Sequence, residues 1–326
     1  MVNFFGNRFL KKMSAQLKNH NSVRFIDVLE DDQGQRLDNF LVRHLKGVPK
    51  TRIYKLLRKG EFRVNKGRKK PDYRVQAGDV VRIPPIRTSE AKQASPGGSV
   101  IEVVKRSIIF EDDAIMVINK PSGLAVHGGS GLNYGLIEAL RAIYPNAPFL
   151  ELIHRIDRDT SGCVMVAKKR SRLREIHRLM RESKLEKYYK LLVCGKWDKS
   201  NNRVDASLEK FTIQGGERMV KVSDDGKPSL TLFKVLQEFE NATLLEADLK
   251  TGRTHQIRVH TKHSGNPIAG DDKYGDREVN KGFRDFGLKR LFLHAARLRF
   301  VMPSSEKEYN IEAPLPAELD AVIKRL

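Results

Sequence analysis

The feature that most limits how this chain can fold is a polar break, TSEAKQASPGGSV at residues 88–100, between two stretches of unlike character. Its small and polar residues, with Pro96, Gly97 and Gly98, have the composition of a linker rather than of a packed element. Before the break, residues 34–87 hold 16 Lys/Arg against 4 Asp/Glu, a net +12 of the chain's +21. More than half the charge thus sits in about a sixth of the 326 residues, which bears on partners rather than on the core. After the break, apolar strand patterns alternate with helical ones. The reading is an extension and lead-in strand over 1–33, a basic module over 34–90, a linker over 91–102 and a larger domain over 103–326.

The composition narrows the function classes. No apolar run approaches the roughly 18–20 residues that a bilayer span needs. A membrane-surface helix would want exposed Trp or Phe, and the only Trp is Trp197. A chain this basic without an anchor most often meets nucleic acid. Cys163 and Cys194 lie in apolar, strand-like surroundings without a C-x-x-C pair, so the reading is buried thiols, no metal, and a reducing, cytoplasmic setting.

In the basic module, Leu37, Phe40, Leu41 and Leu45 recur at helical spacing. A second helix starts at Pro49, buries Ile53, Leu56 and Leu57, and ends at Gly60. FRVN, YRV and DVVRIP follow as short strands. Lys50, Arg52, Lys55, Arg58 and Lys59 share or adjoin one helix, and Arg63, Lys66, Arg68, Lys69 and Lys70 come directly after it. So concentrated a patch suits phosphate contacts. The segment resembles the S4 RNA-binding domain through RLD at 36–38, PKTR at 49–52, KG at 59–60, VN at 64–65 and GD at 78–79.

In the larger domain, IIFEDDAIMVINKP reads as two strands around an acidic turn, SGCVMVAKK as a buried strand and RSRLREIHRLMRESKL as an amphipathic helix. KYYKLLVCGKW, ATLLEADL, HQIRVHTKH and RLFLHAARLRFV read as further strands, mainly antiparallel. In HQIRVH, alternation sets His255, Ile257 and Val259 on one face and Gln256, Arg258 and His260 on the other. The densest polar cluster, His154 to Gly162 (HRIDRDTSG), lies between two apolar runs, where a rigid scaffold commonly holds a catalytic loop. Alone it would pass for a capped turn. Further polar islands are NKPSG at 119–123, HGGSG at 127–131, KYYK at 187–190, TGRTHQIRVH at 251–260 and LFLHA at 291–295. The Gly-rich stretch is neither a phosphate-binding nor a dinucleotide loop, and without a G-x-S-x-G elbow it does not make a serine hydrolase. His154, His255, His260 and His294 are spread over separate segments and form no standard metal motif.

Taken together, HRIDRDTSG, NKPSG, K-x-Y, GRTHQIRVH and LHA resemble the blocks of the RluA-type pseudouridine synthases, in the same order and over essentially the whole chain. Ile156 stands where that family usually has Leu, a near-isosteric change. The resemblance implies an α+β protein: a small S4-type (αL) RNA-binding domain ahead of a catalytic domain on a long, mixed, mostly antiparallel sheet flanked by helices. It implies an isomerase that converts uridine to pseudouridine in 23S ribosomal RNA; the sequence itself makes no obligatory protein partner evident, and the expectation is a monomer. It further implies Asp157 as the essential carboxylate, Tyr189 against the flipped base, Arg258 paired with Asp157, and Arg155 entering the RNA stack. Leu293 and His294 complete the implied substrate contacts, with Lys50, Arg52, Lys55, Arg58 and Lys59 on the RNA backbone.

The chemistry breaks N1–C1′, turns the uracil and joins C5 to C1′. It involves no redox change and no outside group, so it calls for no cofactor. A carboxylate can serve as nucleophile, stabilise positive character at C1′, or take a sugar proton. An arginine partner favours its ionised form. The base must leave the helix to be reached. Two other readings stand beside this one: a non-catalytic S4-type assembly factor, and a glycoside or nucleoside hydrolase using Asp157 and Asp159.

Overall fold

The computed structural model describes residues 22–45, 47–86, 96–128 and 134–326. Residues 1–21 of the expected extension, residues 91–95 of the expected linker, and Gly129, Ser130 and Gly131 of the HGGSG loop lie outside them. The chain divides into two compact units, one on each side of residues 93 and 94.

The first unit contains strand β1 (Arg24–Asp27), helices α1 (Leu37–His44) and α2 (Lys50–Lys59), and strands β2 (Arg63–Val64) and β3 (Val80–Ile83). The strands form one sheet in the order β1-β3-β2, both pairings antiparallel. The expected helical stripe is its core: Leu37, Phe40, Leu41, Leu45, Ile53 and Leu57 are buried together. Asp38 accepts from the Arg36 guanidinium and from the Tyr54 hydroxyl, both at 2.8 Å, and so ties α1 to α2. Gly60 ends α2 in the left-handed region, φ 71°, and its amide caps two helix carbonyls. YRV contributes one isolated bridge, at Arg74, rather than a strand.

The second unit begins with helix α3 (Gly98–Arg106), so the linker expected over 91–102 is helical from Gly98. The cause is in VIEVV: Val104 is buried, and Val100 packs against the core from the same side. Then come β4 (Ile108–Glu111), β5 (Ile115–Lys120), α4 (Leu136–Ile143), β6 (Glu151–Leu152), β7 (Ser161–Ala167), α5 (Arg170–Arg181) and β8 (Glu186–Cys194). After these run β9 (Arg203–Asp205), β10 (Leu208–Thr212), β11 (Arg218–Val222), β12 (Leu230–Glu238) and β13 (Ala242–Leu249). The unit closes with α6 (Gln256–His263), α7 (Arg277–Asp285), β14 (Leu293–Met302), β15 (Lys307–Glu312) and α8 (Ala317–Ile323).

Ten strands make one sheet in the order β4-β5-β7-β14-β8-β13-β12-β9, with β6 beside β7 and β15 beside β14. The pairing of β7 with β14 is parallel and the other pairings are antiparallel, which is the mixed, mostly antiparallel sheet expected. β7 and β5 are buried almost throughout, as central strands covered on both faces must be. β10 and β11 form a separate hairpin. Gly162 makes the parallel pairing possible: a Cβ there would come within 2.2 Å of the Ala295 carbonyl oxygen.

HQIRVH is not a strand; it opens α6. The Gln256 side chain explains the change. It accepts from the Thr251 hydroxyl at 2.7 Å and the Arg253 amide at 3.0 Å, and donates to the Leu230 carbonyl and the Thr231 hydroxyl. These bonds close the 251–256 loop into a turn that starts a helix. The period-2 pattern of the next five residues is overridden.

Candidate active site

Four adjacent strands in the middle of the sheet, β7, β14, β8 and β13, supply or border one recess of about 100 Å³. Asp157 comes from the loop that enters β7, Tyr189 from β8, and Leu293 from the start of β14. His255 is the N-cap of α6 and Arg258 lies in its first turn, and α6 follows β13. All five line the recess, and Arg155 stands exposed at its mouth.

The loop that carries Asp157 is held from beneath. The Lys120 ammonium, with no exposed surface, donates to the carbonyls of Pro121, Leu124 and Arg158 at 2.8–2.9 Å. Burial pulls its pKa down to about 7, yet three carbonyl acceptors match the three hydrogens that only the charged form has. The Gly123 amide also donates to the Arg158 carbonyl, and the Ser122 hydroxyl to the Asp159 carbonyl. The NKPSG block is thus the floor of the HRIDRDTSG loop.

Asp157 keeps 22% of its side chain exposed. Arg258 Nη1 lies 3.6 Å from its Oδ2, and His255 Nε2 lies 3.9 Å from its Oδ1. The expected Asp157–Arg258 pair is therefore present. Arg258 has a closer partner, however. Its Nε and Nη2 grip both oxygens of Asp271, at 2.8 and 2.7 Å, and its guanidinium lies 5.0 Å from the centre of the Tyr274 ring. Asp271 is fully buried and also accepts from the amides of Lys273 and Tyr274. Burial alone would raise the Asp271 carboxyl's pKa; the Arg258 hydrogen bonds outweigh that and hold it below the usual carboxylate range. Two of the fork's nitrogens are spent on Asp271, which aims the third at Asp157. A buried pair of this kind adds little net stability, because its desolvation cost is large. What it gives is a fixed direction.

Tyr189 is buried, and its directly paired neighbours are Ala295 on β14 and Ala247 on β13. Small side chains on both flanks leave the ring's surroundings open on that face. Burial, reinforced by the Asp157 charge, pushes the phenol's pKa up, so the ring meets the recess neutral.

His294, expected to contact substrate, lies outside the recess lining. It has no exposed surface; its Nδ1 pairs with the Ser161 hydroxyl at 2.9 Å and its Nε2 with the Ala313 carbonyl at 3.1 Å. Leucine 293 takes the recess because successive residues of a strand face opposite ways. His154 and His260 are likewise engaged, by the Met165 amide and by Thr231 and Ala206. Among the described residues no three His, Cys, Asp or Glu converge as a metal ion requires. In the first unit Lys50, Arg52, Lys55, Arg58 and Lys59 are all exposed.

Sequence reasoning missed Asp271, Tyr274 and Lys120. The first two follow α6 in GDDKYG, where only Gly270 and Gly275 hint at a constrained turn. A lysine in NKPSG reads as surface until its burial is seen.

Residues 114–263 match the RNA pseudouridylate synthase family, and residues 35–81 match the S4 domain. The chain is 51% identical over 309 residues to ribosomal large subunit pseudouridine synthase C of Haemophilus influenzae, covering 94% of this chain and 96% of that one. It is 53% identical to the Yersinia pestis protein of the same name, covering 92% and 95%. With the Escherichia coli protein of that name the identity is 52%, covering 94% and 97%. Among solved structures, human RNA Pseudouridylate Synthase Domain Containing 4 superposes with a TM-score of 0.58 at 26% identity, over 70% of this chain and 95% of that one. Likeness of this extent, across both units, shows that the chain belongs to the RNA pseudouridylate synthase family.

Proposed function

We propose that the chain isomerises uridine to pseudouridine in 23S RNA of the large ribosomal subunit, with Asp157 acting on an everted nucleotide. The observation that carries this reading is the partly exposed Asp157 carboxylate beside the buried Arg258, in a recess at the centre of the sheet. Mere RNA binding has no need of such a pair, so the assembly-factor reading is the weaker one. The hydrolase reading also weakens, because Asp159 pairs with Arg158 outside the recess lining.

In the proposed reaction N1–C1′ breaks, the uracil turns, C5 bonds to C1′, the C5 proton leaves and N1 gains one. The recess is small and a base inside a duplex is out of reach, so the uridine is flipped into it. Arg155, exposed at the mouth, takes the vacated place in the stack. Tyr189 and Leu293 bound the base, and Arg258 keeps Asp157 oriented toward the ribose. Lys50, Arg52, Lys55, Arg58 and Lys59 hold backbone phosphates. The test is tritium release from C5-labelled uridine in large-subunit RNA, together with chemical mapping of the product. The native chain is expected to release tritium, and Asp157→Asn to release none while binding the same RNA. Full activity in Asp157→Asn would remove Asp157 from this role.

A further inference from the structure

His255 is the one residue of the recess whose conformation carries evident strain. Its backbone sits in the left-handed region, φ 54° and ψ 20°. For a residue with a Cβ this region is strained, and packing and hydrogen bonds must offset the strain. The conformation brings the ring between two partners. Nε2 faces Asp157, while Nδ1 lies 2.7 Å from the Tyr274 hydroxyl, and the rings meet edge to face. The Tyr274 hydroxyl has a second partner: it accepts from the Val220 amide of β11 at 3.0 Å.

Those two contacts decide where the imidazole proton lies. Val220 can only donate, so it occupies an acceptor site on the phenol oxygen and leaves the phenol hydrogen free to be given. If Nδ1 also carried a hydrogen, that phenol hydrogen would have no acceptor among the described residues, inside a buried cluster of Leu208, Val220, Val259 and Tyr274. With Nδ1 bare, every group is matched. Tyr274 remains a donor, since burial pushes its pKa up to about 12. Burial also lowers the pKa of His255, against the pull of Asp157 and with the push of Arg258 and Lys273, which favours the neutral ring.

We propose that Tyr274 is a positioning residue: its hydroxyl locks His255 in the Nε2–H tautomer and so presents one N–H donor to the Asp157 side of the recess. Arg258 then attends one oxygen of Asp157 and His255 the other. Both stand 3.6–3.9 Å away, beyond hydrogen-bond length, so each closes on the carboxylate or on a substrate oxygen as the uridine enters. The kinetic half of this proposal rests on the function proposed above; the tautomer does not.

The experiment is nitrogen NMR of the full-length chain labelled with 15N-histidine, the His255 signals being identified by their loss in His255→Gln. The free enzyme is expected to show a bare Nδ1 and a protonated Nε2, and Tyr274→Phe a mixture of tautomers. Single-turnover rates on the RNA substrate are expected to fall about 10-fold in Tyr274→Phe, with RNA affinity unchanged. His255→Gln, which retains a donor near Nε2, is expected to keep more of the rate than His255→Ala. A protonated Nδ1 in the unsubstituted protein overturns the proposal without any variant having to fold. A Tyr274→Phe protein with altered tautomers and a full rate overturns the positioning role. Activity in Asp157→Asn would instead remove the function reading and leave the tautomer standing.

Discussion

The two units handle charge in opposite ways. In the first, the five lysines and arginines in and beside α2 are exposed, and their ion atmosphere is water and salt. In the second, the ions that matter are taken out of water: Asp271 and Lys120 have no exposed surface, and Arg258 has 6%. Exposed charges act by number and are screened, so any one of them is dispensable. Buried ones act by direction and are held by partners, so each is singular. The same residue types thus stand as an exposed cluster in one unit and aim a carboxylate in the other.

The sharpest way to break that contrast is Asp271→Asn. It strips the buried Arg258 of its bidentate partner and leaves it only the longer 3.6 Å contact with Asp157, and the expected loss is about 3–5 kcal/mol of stability. Released from its second oxygen, the guanidinium no longer points at Asp157, and turnover is expected to fall on the order of 10²-fold. Urea denaturation and single-turnover kinetics read the two effects. A variant as stable and as fast as the native chain would show that burial confers no singular status.

Acid sharpens it next. His154 and His294 in the second unit are held neutral by burial, with pKa values lowered to about 3 and about 4. In the unfolded chain they take protons near the ordinary value of about 6.5. Between those limits the unfolded state binds more protons, so stability falls as pH drops from about 6.5 toward 4. Among the described residues of the first unit there is one such group, His44, lowered to about 4. Hydrogen exchange resolved by unit at pH 7 and pH 4.5 is expected to show the larger loss in the second. Equal losses would mean that burial of titratable groups does not separate the units.

The smallest effect belongs to Lys55→Gln with Arg58→Gln. Folding is expected to change by less than about 0.5 kcal/mol. The salt dependence of RNA affinity is expected to flatten by about 1 per charge removed, with turnover at saturating RNA unchanged. A large drop in that turnover would mean these side chains do more than gather phosphate.

The legibility of the sequence follows the same division. The first unit was almost wholly readable, because its helices are amphipathic and its charges speak by composition. In the second, the Asp157 loop and its Arg258 partner were named from sequence blocks. The partner behind the partner was not: Asp271 is 13 residues beyond Arg258 and no periodicity links them. HQIRVH was misread because alternation describes which side chains are apolar, while the Gln256 hydrogen bonds decide the backbone. Val100, Ile101 and Glu102 read as linker because Pro96 and two glycines outweigh them in composition, though not in packing. His294 sits one residue from a recess-lining neighbour, and a one-residue offset in a strand reverses the face.

The position of β14 sets an order of events for the newly made chain. It lies between β7 and β8, so without it the sheet is two separate pieces, one ending at β7 and the other at β8. β7 and β14 pair through His294 with Ser161, across a sequence gap that only late synthesis can close. Asp157 leaves the ribosome early, on a fragment with an open edge, and waits for Leu293 and its strand to arrive. A cleft built this way is not acquired piecemeal; it exists only once the chain has been made through β14.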